Sequence, residues 1–136
     1  MKQSERHLLQ DLRRGFLHLH KVLLEWERGA YERAHGPTSA GGLLKIIVTD
    51  PQFAWLRPMS ELIVRIDTAL EAEAPDTPVD VDALVIQARA IVAPDDPSGA
   101  YAQRYHAALQ ALPDAVIAHG RVTTLLKDVP TKKTLH

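Results

Sequence analysis

Asp50-Pro51-Gln52-Phe53-Ala54-Trp55-Leu56-Arg57-Pro58 joins two apolar segments, and its reading decides the fold. Asp50 before Pro51 has the form of an N-cap followed by proline at the first helical position, where a backbone N–H would have no intrahelical partner. A helix starting there runs to about Glu73, with Pro58 inside it. A proline at that position lacks a donor and presses on the carbonyl of Ala54, so the reading predicts a break or kink near Pro58. Phe53, Trp55 and Arg57 are then held at a fixed joint.

Upstream, Leu9, Leu12, Phe16, Leu19, Leu23, Trp26 and Ala30 recur in steps of three and four, the signature of a long helix with one apolar seam. Gly15 and Gly29 lie beside that seam and suggest close approach of another helix, an untroubled surface glycine being the alternative. The helix should stop at His35-Gly36-Pro37. Thr38 or Ser39 then caps a short segment over Gly42 to Thr49 that is apolar nearly all round. A fully buried helix is expected, the alternative being a strand through Ile46-Ile47-Val48-Thr49. Helix is preferred because no second strand exists to pair with it.

Downstream, Met59, Leu62, Ile63, Ile66 and Leu70 give one helical face, with Glu61 and Arg65 paired outside. Residues Ala74 to Pro78 read as a linker, and Thr77-Pro78-Val79-Asp80 restarts a helix buried through Val81, Leu84, Val85, Ala88, Ile91 and Val92. A turn over residues 93–99 leads to a helix marked by Tyr101, Tyr105, Ala108, Leu109 and Leu112. Leu112-Pro113-Asp114 restarts the chain, and Val116, Ile117, Leu125 and Leu126 carry an apolar stripe to about Asp128. The expected fold is all-α: an antiparallel helical bundle of four main helices plus short helices. It forms a single domain over residues 1–128, with residues 129–136 a frayed tail.

A chain of 136 residues can build one domain with a real core. It has no cysteine, so disulfides, thiolate metal ligands and a cysteine nucleophile are excluded. Acids and bases nearly cancel, 17 against 16, so no overall field favours nucleic acid or an anionic membrane. No apolar run approaches the roughly 20 residues of a membrane span, and the N-terminus lacks a signal-type core, which reads as cytoplasmic. Between Glu71 and Asp96 acids predominate and Arg89 is the single base, the pattern of a solvated face or of a partner-steering one.

Helical bundles hold di-metal sites with Glu-x-x-His pairs on two helices. One such pair occurs, Glu32-Arg33-Ala34-His35, with Glu25 a heptad earlier, but the second is missing. The steps Lys21, Glu25, Arg28, Glu32 and His35 equally describe a surface salt-bridge ladder. His18 and His20 point to opposite sides of a helix and cannot share an ion. No serine lies in a nucleophile elbow, and Thr38 to Lys45 lacks the order of a phosphate loop. No cofactor is expected.

The segments Glu25-Trp26-Glu27-Arg28, Tyr31-Glu32, His35-Gly36-Pro37 and Asp50 to Pro58 together resemble a family of small uncharacterised bacterial all-helical proteins, over residues 16 to about 73. The resemblance implies an all-α fold and a bacterial origin, and no activity. The expected function is a non-enzymatic module that binds a protein partner or itself. Trp26, Tyr31, His35, Phe53, Trp55 and Arg57 are its candidate binding residues, with the contact near Trp55 and Arg57. The alternatives are a metal or small-ligand site at Glu25, Glu32 and His35, and a hydrolase or transferase using Glu27, Tyr31 and His35.

Overall fold

A computed structural model describes residues 1–71 and 79–129. Among them are six α-helices and no strand: α1 (Gln3–His35), α2 (Ala40–Thr49), α3 (Arg57–Glu71), α4 (Val81–Val92), α5 (Ala100–Ala111) and α6 (Pro113–Lys127), with a 3-10 helix at Pro51–Leu56 between α2 and α3. Their packing is that of a helical bundle with α1 as the spine. α1 lies most extensively against α6 and α3, and α4 closes the core against both. Leu9, Leu12, Phe16, Leu19 and Leu23 have no exposed surface, as the three-four spacing of the seam requires. α1 ends where expected: Gly36 takes φ +89°, a left-handed value that glycine adopts without strain, and its N–H donates to Glu32 O at 2.7 Å.

The break or kink expected at Asp50 to Pro58 takes the form of a change of winding just before Pro58. The Asp50 carboxylate caps it by accepting from the Gln52 N–H at 2.9 Å. Residues 51–56 then wind as a 3-10 helix, and the α-helix proper begins at Arg57. Pro58 is therefore the second residue of α3, inside the first turn, where no intrahelical donor is required. The tighter winding has a packing consequence. Residues three apart eclipse in a 3-10 helix, so Phe53 and Leu56 enter the core together.

α2 is a helix and not a strand, capped by Ser39 Oγ accepting from the Gly42 N–H at 3.1 Å. The expectation that it is fully buried is overturned. None of its residues is buried, and Leu44 and Val48 are 65% and 63% exposed. α2 packs on the 3-10 helix, which covers one side of it and half-buries Ile46 and Ile47.

α4 buries the six residues its periodicity marks, and the Asp80 carboxylate caps it through the Ala83 N–H at 3.0 Å. α6 does not follow its largest side chains. Ala115, Ala118, Val122 and Leu126 face inward, while Val116 and Ile117 are 51% and 59% exposed. Small residues win the inner face because α6 runs close to α1. A Cβ on Gly15 would sit 2.9 Å from Val122 Cγ2. Gly29 has no such neighbour, its nearest contact being Arg33 of its own helix. Arg65 donates to Gln87 Oε1 of α4 in place of the expected pairing with Glu61, and Leu70 is only half-buried.

Arg13 and Asp67 tie α1 to α3, and Arg89 Nη2 donates to Leu126 O at 2.9 Å and to Val129 O, tying α4 to the end of α6. The linker at residues 74–78 and the tail beyond Val129 lie outside the described residues. No described helix is long and apolar enough to cross a membrane.

Two glycines should respond oppositely. Gly15→Val drives a branched side chain into the stiff Val122 and should lower unfolding stability in urea by about 1–3 kcal/mol. Gly120→Ala meets nothing within 4 Å and should raise stability by about 0.5–1 kcal/mol.

Candidate functional site

The buried stripe of α1 runs Leu19, Leu23 and then, four residues on, Glu27. That register places a carboxylate where an apolar side chain is expected. Glu27 is 1% exposed, the one buried charged side chain among the described residues. Isolated, a buried carboxylate is costly, so its oxygens must find donors. Two come from the 3-10 helix. Trp55 Nε1–H donates to Oε1 at 2.8 Å and Gln52 Nε2 to Oε2 at 3.4 Å. The third comes from α5, where Arg104 engages both oxygens, Nε to Oε1 at 3.1 Å and Nη2 to Oε2 at 2.5 Å. This is the bidentate fork that suits a guanidinium to a carboxylate.

Aromatic rings surround the pair. The Arg104 guanidinium lies 4.4 Å from the centre of the Trp26 ring, in cation–π range. Trp26 meets Trp55 edge-on at 6.5 Å, Trp55 meets Tyr101 at 6.1 Å, and Tyr101 stacks on Tyr105 at 5.8 Å. Tyr101 O–H donates to Ile91 O at 2.8 Å. Tyr105 is hydrogen-bonded to His119 Nδ1 at 2.7 Å. Burial pushes both tyrosine hydroxyls well above their ordinary range, and for Tyr105 the nearby Tyr101 adds to this.

The expected binding residues divide into two groups. Trp26 and Trp55 belong to the Glu27 cluster and are half-buried. Tyr31 lies against His35 at 4.3 Å and Phe53 at 5.9 Å, so the end of α1 does meet the 3-10 helix through rings. His35 and Arg57 are exposed, and no hydrogen bond or ion pair links them. A shallow groove of about 590 Å³ flanks Trp26, walled by Lys21, Val22, Glu25, Leu112 and Pro113 among others.

Glu25 and Glu32 are drawn to Arg28, at 4.0 and 3.4 Å. Glu32 also accepts from the Thr38 N–H at 2.9 Å and the Thr38 hydroxyl at 3.0 Å, and these bonds hold its carboxyl below the usual range. That is the ladder geometry. Among the described residues no three His, Asp or Glu side chains converge on a point that could hold a metal ion. Glu27, Tyr31 and His35 form no hydrogen-bonded chain, because Glu27 is held by Arg104 and Trp55.

Sequence reasoning missed Arg104 and Tyr101 as partners of Glu27 and the tryptophans, and His119 as the partner of Tyr105. The available signal was Glu27 itself, an acid at a core position, which demands a cation from elsewhere. Comparison with protein-family models, curated proteins and solved structures found no match.

The pair should be energetically lopsided. Arg104→Ala strands a buried charge and should cost about 3–5 kcal/mol. Glu27→Gln keeps an acceptor for Trp55 and leaves a cation with a 38%-exposed side chain that can reach water, so it should cost about 1–3 kcal/mol. Chemical denaturation reads both.

Burial lowers the pKa of His20, which is bonded to Ser60 Oγ at 2.9 Å, and, with a lesser contribution from His106, that of His119. The unfolded chain takes up these protons near pH ~6.5 and the fold only below that. Stability is thus complete above that pH and falls as pH drops through it. The urea midpoint should decline from about pH 7 to about pH 5, and His20→Gln with His119→Gln should flatten that decline.

Proposed function

We propose that this chain is a non-enzymatic self-association module whose contact face is α2. One observation carries the reading: the most apolar helix of the chain buries none of its residues, and Leu44 and Val48 stand open to solvent. Isolated helices shorter than about 12 residues are marginal in water and gain stability by packing an apolar face. α2 has ten residues, and Leu44 and Val48 leave most of their apolar surface unused within the fold.

A second copy of the chain is the occupant that fits. An isologous contact sets Leu44 and Val48 against their own counterparts. Lys45 is the one charge in α2, and a net charge of −1 leaves little repulsion between copies. A helix about 15 Å long offers well under the roughly 800 Å² per partner of stable complexes, so association should be weak and concentration-dependent. This reading moves the contact from Trp55 and Arg57 onto the adjoining helix. Trp55 is held inward by Glu27, and replacing it by alanine would damage the fold rather than a surface.

Light scattering over a concentration series is the test. The mass of the wild-type chain should rise with concentration, and Leu44→Lys with Val48→Glu should remain monomeric with unchanged helical circular dichroism. A wild-type chain that stays monomeric throughout, or a variant that associates equally, would refute the proposal.

A further inference from the structure

The groups around Glu27 separate into a host and a guest. The host comes from two elements that pack directly on each other: α1 supplies the Glu27 carboxylate and the Trp26 ring, and the 3-10 helix supplies the donors Trp55 and Gln52. The guest, Arg104, comes from α5. That helix buries only Ala102, Tyr105 and Ala108, packs chiefly on α6, and follows a turn containing Pro94 and Pro97. The side chain of Arg104 is 38% exposed, so the site opens to water on the guest's side. A desolvated carboxylate with its far edge already satisfied by an indole N–H, and a tryptophan ring 4.4 Å from the cation, suits a planar guanidinium better than a compact, strongly hydrated ammonium.

We propose that Glu27, bordered by Trp26 and Trp55, is a guanidinium-binding site that the chain's own Arg104 keeps shut, and that an external alkylguanidinium group displaces it. Arg104 then acts as an autoinhibitory plug, and opening the site moves the Arg104 and Tyr101 side of α5 away from Trp26 and Trp55. This site is separate from α2 and does not rest on the self-association reading.

Hydrogen exchange on the wild-type chain tests the displacement without any substitution. The probe is N-ethylguanidinium chloride, with N-ethylammonium chloride at equal ionic strength as the control. At ten times its dissociation constant the probe should raise the open population, and with it exchange in residues 100–111, about tenfold. Exchange in α1 and α3 should stay unchanged, and ethylammonium should have a far smaller effect. In Arg104→Ala the same probe meets no competitor and should raise the melting temperature saturably. It should have no such effect once Glu27→Gln is added. A Gly-Arg-Gly tripeptide arm separates the sources: equal potency points to an arginine side chain of another protein, potency of ethylguanidinium alone to a small cation. Unchanged exchange in α5, a uniform acceleration across α1, α3 and α5, or equal effects of the two salts would overturn the proposal.

Discussion

A single carboxylate at a core position constrains this fold. Glu27 continues the stripe that Leu19 and Leu23 bury, and at 1% exposure it cannot be left without donors. Its oxygens draw Trp55 and Gln52 from the 3-10 helix on one side and Arg104 from α5 on the other, joining positions 77 residues apart. Breaking such a pair costs far more than the pair itself contributes over an apolar substitute. Its value here lies in placement. α5 buries only one large side chain of its own, Tyr105, and a fork-shaped ion pair sets its register on α1.

Apolar packing performs the same task in the rest of the molecule. α1 and α6 approach closely because Gly15 faces Val122 and because α6 turns alanines inward. The same choice turns Val116 and Ile117 outward. α2 is exposed for a related reason: it packs chiefly on the short 3-10 helix, which leaves Leu44 and Val48 open to solvent.

Much of this was legible in the sequence because local rules agreed with the fold. The seam of α1, its stop at Gly36, a cap at Thr38 or Ser39, the cap at Asp50, and the buried face of α4 all follow from periodicity and turn chemistry, whereas the cap of α4 is Asp80 and not the Thr77-Pro78 pair that the cap-then-proline pattern marks. Side-chain size misled where helices pack closely, and so the inner face of α6 was misread. Hydrophobicity misled at α2, since an all-apolar helix is buried only if enough neighbours surround it. Pro58 was read as a breaker because a 3-10 helix and an α-helix share the same start signals, and only the winding decides whether a proline lies within a helix or at its head. The site was half-legible. Its aromatic residues stand out, but pairing across 77 residues leaves no local trace, and Glu27 was passed over for Trp26 as the next step of the seam.

The central claim is that Glu27 and Arg104 act as one unit that fixes α5 to α1. A double-mutant cycle of Glu27→Gln and Arg104→Ala, read by urea denaturation, measures it most directly. The account predicts a coupling energy of about 2 kcal/mol or more, with the double variant more stable than the sum of the single losses implies. Additivity within about 0.5 kcal/mol would contradict it, because two residues that do not depend on each other cannot hold the helix in place.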